Sequence, residues 1–460
     1  MPYPREHAGK GGHSDLIRNP DVDRFLTQCT YLREPSDAEA QAIAALYQAA
    51  PIGKDKFLPK DVVASDASKS DAPINGKLPS TQVGFLKISH VLIRMDDYDG
   101  LQDPHEHIVN PFKVAAIHRN ASPVTFTMPG SNIRYKGHQS VKDGFRQALF
   151  DQLNKKNDDK ESNDRPTMAQ VFVKINGGSV AISTCPACKG DAQFLFSDKL
   201  LEAPCGLCGK VVYATDSLRL HEGISDFGDN ASAMTRMMNA MEHLMLTAFI
   251  LEVQRAQPEK LSELAFVMDG PLAIFGEPAK LSQRLQRLIF QVNKDLSEKG
   301  LRQMLVLGLQ KTGGLMDHAK LLERHLLKGS LRLVDDEYRN RYVTGAESPA
   351  ENFGNETYYG QDFIFRTESG RVFNFAIPYP FIDKTHGGGG KAFAQAKSDI
   401  ARYGDLVRQA CDLIRHFEMD LYESAIVPVA LAHRHASISI MPGGKVLDIL
   451  ARTRLDRPPI

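Results

Sequence analysis

Four of the six cysteines lie in two pairs, and each pair has the spacing of a metal-binding knuckle. The pairs are Cys185-Pro-Ala-Cys188 and Cys205-Gly-Leu-Cys208, with sixteen residues between them. Four thiolates are the tetrahedral ligand set that structural Zn²⁺ prefers, and this spacing is typical of a zinc ribbon. Disulfides or a redox pair are the alternatives. We expect zinc, because clustered cysteines suit a reducing compartment better than a disulfide framework does.

A zinc ion with four cysteine ligands has no open coordination position for a substrate. We therefore expect the ion to organise a ribbon over residues 183–212, a segment too small to fold alone. The alternative is a ribbon that contacts DNA or a partner protein through Lys189, Lys199 and Lys210.

Two aspartates each follow an apolar segment that has the character of a strand. Asp66 ends the segment 60–66, and Asp269 follows Leu264–Met268 directly before Gly270. In an open sheet, side chains at strand ends face the crevice where ligands bind, and a carboxylate there can hold a divalent cation. An aspartate before glycine is also common in turns, and aspartate can cap a following helix. The pattern alone leaves both interpretations open.

The hydrophobic pattern predicts strands interleaved with helices, which is typical of a mixed α/β fold. Strands are expected at 60–66, 83–93, 168–182, 264–268, 303–309, 362–366, 371–377 and 426–440. Helices are expected at 21–50, 232–255, 279–300, 315–327 and 392–421. We expect the first two strands to form a hairpin with a long connection.

The composition is that of an ordinary globular protein, with 42% hydrophobic and 24% charged residues. The formal net charge of zero excludes a globally basic nucleic-acid binder but not a local basic groove. No apolar run approaches the roughly 18 residues of a membrane span. Residues 1–15 lack the apolar centre of a signal peptide, so we expect a cytoplasmic protein without membrane contacts.

Several short motifs resemble those of NurA nucleases and follow one another in the same order. Asp66-Ala-Ser is similar to the family's first aspartate motif, with Ala67 where glycine is usual, and residues 269–276 are similar to the second. The other matches are Met241–Leu246 with Glu242, Val306–Gly313 with Lys311, and Pro428–Ala436 with His433. The matches span most of residues 60–450 and leave 94–230 uncovered.

This resemblance implies an RNase H-like mixed sheet with flanking helices. The domain would comprise residues 56–93 and 231–460, preceded by a helical segment at 1–55. An insertion at 94–230 would carry the zinc ribbon. The implied activity is DNA cleavage that depends on Mn²⁺ or Mg²⁺, in end processing or antiviral defence. The implied partners are DNA, a HerA-type hexameric ATPase translocase and a second copy of the chain in a homodimer.

The resemblance also assigns roles to individual residues. Asp66, Glu242 and Asp269 would be metal ligands, His433 the fourth active-site group, and Lys311 a cation that steadies developing negative charge. Glu252 lies on the same predicted helix and is an alternative to Glu242. Lys311 could instead be an ordinary loop lysine.

Further alternatives remain at three places. His435 would share the face of His433 if both lay on a strand. Asp335, within an acidic triplet, is expected to cap a helix rather than bind metal, and Tyr358 and Tyr359 are expected to be core or interface aromatics. Because Ala67 replaces a glycine that permits positive φ, a degenerate module that binds DNA or a partner without cutting is the alternative function.

Overall fold

The computed structural model describes residues 14–29, 34–53, 58–75, 78–101, 111–156, 165–345, 353–418, 425–438 and 447. Within these ranges, no helix combines the length and apolar character that crossing a membrane requires. The helix Ala231–Ala256 has 26 residues, which is long enough to cross a membrane, but it is not apolar enough. Its buried residues include Glu242 and His243.

Most of the strands belong to one mixed sheet. The strands are β1 (Gln48–Ala49), β2 (Asp61–Asn75), β3 (Leu78–Arg94), β4 (Ala121–Pro129), β5 (Val180–Thr184), β6 (Asp191–Phe196), β7 (Glu202–Pro204), β8 (Val211–Tyr213), β9 (Leu264–Asp269), β10 (Leu305–Gln310), β11 (Ser330–Leu333), β12 (Gly360–Arg366) and β13 (Val372–Pro378). The main sheet has nine strands in the order β1-β11-β12-β13-β10-β9-β2-β3-β4. The expected mixed α/β class is therefore confirmed.

The three central strands run parallel. β9 pairs in parallel with β2 on one side and with β10 on the other, whereas the outer strands pair antiparallel. Both β9 and β10 are buried along almost their whole length. Parallel strands covered on both faces need nearly continuous apolar sequence, which explains why these two segments are recognisable from sequence.

Helices cover both faces of the sheet. They are α1 (Ser14–Ile17), α2 (Pro20–Gln28), α3 (Asp37–Ala44), α4 (Met95–Asp99), α5 (Pro111–Arg119), α6 (Val141–Leu153), α7 (Met168–Ile175), α8 (Ala231–Ala256), α9 (Leu281–Glu298), α10 (Gly314–Leu322), α11 (Asp336–Tyr338), α12 (Gly390–Lys397), α13 (Asp405–Phe417) and α14 (Val427–Ala436). Apolar side chains of α6, α7, α8 and α9 form one core with the sheet. Those of α5, α13 and α14 form a second core on the opposite face.

Alternation along β2 separates these two faces. Val63 belongs to the core on the α8 face, and Ala64 belongs to the core on the α14 face. Successive residues of a strand point to opposite sides. Ser65 therefore points toward the α8 face and Asp66 toward the α14 face.

The hairpin of β2 and β3 is longer than expected, and the prediction of a long connection is wrong. β2 continues past Asp66 to Asn75, which pairs with Leu78 at the start of β3. The polar residues after Asp66 lack an apolar signal, yet β3 supplies their backbone hydrogen-bond partners along the whole length. Pairing with a neighbouring strand, which local sequence does not reveal, decides this extension.

Two segments predicted as strands are helices. Met168–Ile175 forms α7, which begins with a capping box in which Thr167 and Gln170 bond to each other's backbone N–H groups. Val427–Ala436 forms α14, with Pro428 in its first turn. Short apolar runs fit a buried helix as well as a strand, and here α7 packs against α6, α8 and α9 whereas α14 packs on β2 and β3 of the sheet.

The main sheet continues into the region expected to be an insertion. Within residues 94–230, β4 pairs antiparallel with β3 from Val83↔Pro129 to Val91↔Ala121. The cysteine-rich segment follows later and forms two small hairpins, β5 with β6 and β7 with β8. The segment that departs from the sheet therefore begins after Pro129.

Candidate functional site

Asp269 is placed by the end of the parallel strand β9. The strand stops there because Gly270 adopts φ 130°, in the region that favours glycine. The Gly270 N–H still donates to the Leu309 carbonyl at 2.8 Å, so β10 holds the turn in place. A Cβ on Gly308 would lie 2.7 Å from the Gly270 carbonyl oxygen, so the turn also requires a glycine on the neighbouring strand.

Asp66 lies beside Asp269 because β2 and β9 pair in parallel. The last parallel pair joins Ser65 to Met268, so the next residues along the two strands are Asp66 and Asp269, the last residue of β9. Its carboxylate Oδ1 accepts the Ala67 N–H at 2.8 Å. The Asp66 side chain is 9% exposed, so the carboxylate is largely buried.

His433 completes the group from α14. Its Nδ1 lies 2.8 Å from Asp66 Oδ2. The imidazole is 55% exposed, so it faces solvent on the side away from the aspartate. When Nδ1 carries the proton, it donates to the Asp66 carboxylate. The carboxylate then stabilises this tautomer of the neutral ring, in which Nε2 is an acceptor.

These three residues form a donor set that fits a divalent cation. Ligand atoms of Asp66, Asp269 and His433 all lie within 4.8 Å of one another. Neighbouring ligands of an octahedral Mg²⁺ or Mn²⁺ are about 3 Å apart, so small side-chain movements would close the group around one ion. Two carboxylates favour Mg²⁺ or Mn²⁺, and the imidazole is compatible with a transition metal.

Lys311 also reaches this group. It follows β10, and its Nζ lies 2.5 Å from Asp269 Oδ2. The register explains the contact, because Leu309 of β10 pairs with Asp269 across the sheet. Of the two interpretations of this lysine, the structure places it at the site rather than in a remote loop.

Glu242 lies near the aspartates but on the other face of the sheet. Ser65 Oγ donates to Glu242 Oε1 at 3.1 Å, so the glutamate approaches from α8 whereas His433 approaches from α14. Burial raises the pKa of Glu242 well above its ordinary value, and the charges of Asp66 and Asp269 raise it further. The charges of both aspartates therefore act on Glu242. Glu242 is not, however, one of the residues whose ligand atoms lie within 4.8 Å of one another, which are Asp66, Asp269 and His433.

Glu252 occupies a different environment on the same helix. Arg255 donates to it at 2.9 Å, and Arg165 lies 3.8 Å away. These arginines lower the pKa of Glu252, the opposite of what happens at Glu242. Of the two candidate glutamates, Glu242 is the one beside the aspartates.

Metal binding to this group is expected to depend on pH near 6. Burial raises the pKa of Asp269 from 3.8 to about 6, with Asp66 adding to the effect and Lys311 opposing it. Because the folded pKa exceeds the unfolded one, protonated Asp269 stabilises the metal-free fold at low pH, and this contribution is lost as the pH rises through about 6. A cation competes with that proton. We expect Mn²⁺ to raise Tm at about pH 7.5 and to have little effect at about pH 5.

Thermal unfolding with and without Mn²⁺ at the two pH values measures this effect. Asp269→Asn is the control, since it removes the titrating carboxyl and should abolish the pH-dependent part of the Mn²⁺ stabilisation. An equal rise in Tm at both pH values would contradict the assignment of Asp269 as a ligand.

Other sequence candidates lie apart from this group. Because α14 is a helix, residues two apart are about 200° apart, so the expectation that His435 shares the face of His433 is wrong. Its Nε2 instead lies 2.8 Å from His118 Nδ1. Asp335 accepts the Tyr338 N–H at 2.7 Å and caps α11, which confirms the expected cap.

Tyr359 packs in the interior, and Tyr358 is partly buried. Tyr359 is buried, and its hydroxyl lies 2.8 Å from His243 Nδ1. Tyr358 makes an edge contact with Phe275, with ring centroids 6.0 Å apart. Neither belongs to the group of ligand atoms around Asp66.

Sequence reasoning did not single out Ser65 or His90. Ser65 holds Glu242, and His90 Nε2 lies 3.5 Å from Ser65 Oγ. Burial lowers the pKa of His90 to about 4, which makes it a neutral partner at physiological pH. The sequence held one indication of Ser65, its position next to Asp66. Because successive residues of a strand point to opposite sides, Ser65 lies on the face of the sheet opposite to Asp66.

The four cysteines form a second group. Their sulfurs lie within 4.8 Å of one another, with Cys185 Sγ and Cys208 Sγ 3.9 Å apart, and all are free thiols. The disulfide alternative is therefore not realised among these cysteines. Four thiol ligands in this arrangement fit a tetrahedral Zn²⁺.

Matching turns build the two knuckles. In the first, the Lys189 N–H donates to the Cys185 carbonyl at 2.9 Å, and in the second, the Gly209 N–H donates to the Cys205 carbonyl at 2.8 Å. Hydrogen bonds from the backbone of Leu207 and Cys208 lower the pKa of Cys205 to about 7. Burial raises the pKa of the Cys185 thiol to about 11, so in the metal-free group Cys205 favours the thiolate and Cys185 the neutral thiol.

The ribbon packs on the body of the protein. Cys185 and Cys205 are buried in the same core as Phe196, Val212 and helix α6. Lys210 Nζ lies 2.7 Å from Asp143 Oδ2 of α6, so this lysine holds the ribbon to the body. These contacts agree with a structural role, and Lys189 and Lys199 remain as the residues on which a DNA contact would depend.

No family model and no curated protein matches this chain. What the chain can do chemically therefore follows from its own side chains. Two carboxylates, an imidazole and an ammonium group meet in a crevice at the ends of parallel strands, and four thiols meet in a separate ribbon.

Proposed function

We propose that this protein is a divalent-metal-dependent DNA nuclease of the NurA type that carries a structural zinc ribbon. The observation that supports the proposal most directly is the convergence of Asp66, Asp269 and His433 within 4.8 Å, with Lys311 beside them. The motif resemblance assigned active-site roles to all four residues. They come from four separate elements, so their convergence is a property of the fold that the motifs alone do not guarantee.

The sheet agrees with an RNase H-like core. In the order β4-β3-β2-β9-β10, the first three strands form an antiparallel meander and the last three are parallel. In this sheet Asp66 lies on β2 and Asp269 at the end of β9, two neighbouring parallel strands. Function does not follow from fold alone, so the side chains carry the proposal.

Phosphodiester hydrolysis requires an activated water and neutralisation of negative charge. A bound Mn²⁺ or Mg²⁺, held by Asp66 and Asp269 with Glu242 as a further candidate ligand, would polarise the phosphate and lower the pKa of water. His433 has Nδ1 engaged by Asp66, so Nε2 is available to accept a proton from the attacking water. Lys311 offers an ammonium group next to Asp269 that can stabilise negative charge on the phosphate.

Cleavage of end-labelled linear single- and double-stranded DNA tests the proposal. Purified protein is incubated with Mn²⁺, with Mg²⁺ or with EDTA, and products are resolved by length. We expect cutting with either metal and none with EDTA. If the protein stays inert in all conditions, including those with a HerA-type ATPase and ATP, the nuclease proposal is refuted.

The partner proteins belong to the same proposal. We propose, from the resemblance, that the nuclease works with a HerA-type hexameric translocase and forms a homodimer. End processing or defence against foreign DNA would be its setting. Co-purification with such an ATPase, and a mass measurement of the isolated chain in solution, check the two partnerships separately.

The replacement of glycine by Ala67 was the reason to consider a degenerate binding module, and the backbone at Ala67 does not support it. Ala67 lies within β2 and pairs with Ile88 across the hairpin, in ordinary extended backbone. Alanine adopts this conformation without strain. The replacement of glycine therefore gives no reason to expect an inactive site.

Glu242→Gln is expected to lower the rate of metal-dependent cleavage about 10- to 100-fold, the usual effect of losing a group that tunes or supports a metal site. Glu252→Gln on the same helix is the matched control and should cleave like wild type, because its carboxylate pairs with surface arginines. Initial rates at saturating DNA measure both. Equal cleavage rates for the two variants would contradict a role for Glu242 in metal-dependent cleavage.

A further inference from the structure

A cluster of basic side chains lies beside the proposed catalytic group and has no part in the mechanism. This basic cluster consists of Lys87 on β3, His118 on α5, and Arg434 and His435 on α14. His118 Nδ1 and His435 Nε2 are 2.8 Å apart, and the two ring centroids are 5.0 Å apart. Arg434 directly precedes His435 on α14, and α14 packs on β3, the strand that carries Lys87.

The strand register places the cluster on the same face as the catalytic aspartate. Lys87 pairs with Ser68, and Ser89 pairs with Asp66 across the hairpin. Lys87 and Asp66 are therefore diagonal neighbours on one face, with Cβ atoms about 7–8 Å apart. His433 and Arg434 are consecutive on α14, so the cluster and the catalytic group adjoin along both the sheet and the helix.

The charges of the cluster are not neutralised by the protein. Among the residues that the structure describes, neither Lys87 nor Arg434 forms an ion pair with a carboxylate. Other cations nearby are paired: Lys69 lies 2.8 Å from Asp71 and Lys311 lies 2.5 Å from Asp269. Like charges gathered without counterions raise the free energy of the fold, and an anion bound among them lowers it.

We propose that the basic cluster binds the sugar-phosphate backbone of the DNA strand next to the bond that is cut. The inference rests on the proposed nuclease function and names the subsite that holds the substrate. Lysine and arginine bind phosphate through charge and hydrogen bonds, and imidazole N–H groups donate to phosphate oxygens. Contacts of this kind carry no sequence information, so the cluster positions any DNA strand across the metal group.

The test measures binding apart from cleavage. Fluorescence anisotropy of a labelled single-stranded oligonucleotide is recorded with the full-length protein in EDTA, over a range of salt concentrations. Lys87→Gln and Arg434→Gln are compared singly and together with wild type. We expect each single variant to raise Kd several-fold and the double variant to raise it about tenfold or more. The slope of log K against log salt should fall by about 1.4 in the double variant, at about 0.7 for each phosphate contact with a single strand.

Lys69→Gln is the matched control. Lys69 lies on the same hairpin, but its side chain is on the opposite face and pairs with Asp71, so its loss should leave Kd and the salt slope unchanged. Lys87→Arg and Arg434→Lys keep the charge and should retain binding, which separates loss of charge from damage to the fold. Cleavage rates measured over a range of DNA concentrations should show a raised KM in the glutamine variants, with kcat at saturation close to that of wild type.

The outcomes separate the two proposals. If wild type binds and cuts DNA, and the double variant has the same Kd and salt slope, the subsite is refuted and the nuclease stands. If the wild type neither binds nor cuts DNA with Mn²⁺ or Mg²⁺, even with a HerA-type ATPase and ATP added, both proposals are refuted together.

Discussion

Asp269→Asn is expected to reduce metal-dependent DNA cleavage about 10³-fold or more. The substitution removes one carboxylate from a group whose ligand atoms lie within 4.8 Å, and it leaves Lys311 without its partner. A metal ion contributes several kcal/mol of transition-state stabilisation, and each 1.4 kcal/mol is about a factor of ten in rate. Single-turnover cleavage rates in Mn²⁺ measure the loss.

The fold should survive this substitution. Burial and the neighbouring Asp66 raise the pKa of Asp269 and Lys311 lowers it, and the resulting pKa of about 6 means that the environment disfavours the charged carboxylate despite the lysine. Asparagine keeps the shape and removes the repulsion, and we expect Tm in EDTA to remain close to that of wild type. Asp71→Asn, on the opposite face of the β2–β3 hairpin, is the matched control and should cleave normally. An active Asp269→Asn protein would place the catalytic centre elsewhere.

Cys205→Ser is expected to abolish zinc binding and to unfold the ribbon. Wild type should contain about one zinc per chain, because one set of four thiols meets in the described structure. Structural zinc sites supply about 10–16 kcal/mol of binding free energy, and small hairpins such as β5–β6 and β7–β8 are not stable alone. Elemental analysis and limited proteolysis measure zinc content and the accessibility of the ribbon.

Cys29→Ser controls for the loss of a cysteine as such. Cys29 is exposed and lies outside the knuckles, so its replacement should leave zinc content and protease resistance unchanged. If Cys205→Ser retains full zinc and resists protease, the four-cysteine site is refuted. Because Cys185 and Cys205 are buried with Phe196 in the main core, loss of zinc should also lower the Tm of the whole protein.

The two roles considered for the ribbon can be separated. A structural ribbon predicts that Lys189→Gln and Lys199→Gln leave DNA affinity unchanged while Cys205→Ser lowers Tm. A ribbon that contacts DNA predicts weaker binding in the lysine variants at unchanged Tm. The pairing of Lys210 with Asp143, and the burial of Cys185 and Cys205, favour the first result.

Local sequence was sufficient where chemistry and spacing are local. Two CxxC pairs predict a thiol cluster because each knuckle is closed by backbone bonds within a few residues, as between Lys189 and Cys185. Asp269 was predictable because β9 is a short apolar run ended by a glycine that must adopt positive φ. Helix α8 and strands β12 and β13 were predictable from the hydrophobic pattern of their own residues.

Local sequence was not sufficient where two structures share one pattern. The apolar runs in α7 and α14 fit strands and helices alike. For α7 the Thr167–Gln170 capping box is a local signal that favours the helix over the strand pattern, whereas for α14 packing on β2 and β3 favours the helix. The polar second half of β2 gave no strand signal, since its partner β3 provides the hydrogen bonds.

The sequence by itself determined which ligands this protein has: four thiols in two knuckles, and carboxylates beside strand ends. Only the tertiary structure decided which of them meet. Asp66 and His433 are 367 residues apart, and the bond between them exists because α14 packs on the face of β2 to which Asp66 points. The choice of Glu242 over Glu252 has the same origin, because both lie on α8 and only one of them packs beside Ser65. Register and packing between distant elements set these contacts, and neither is encoded in the spacing of neighbouring residues.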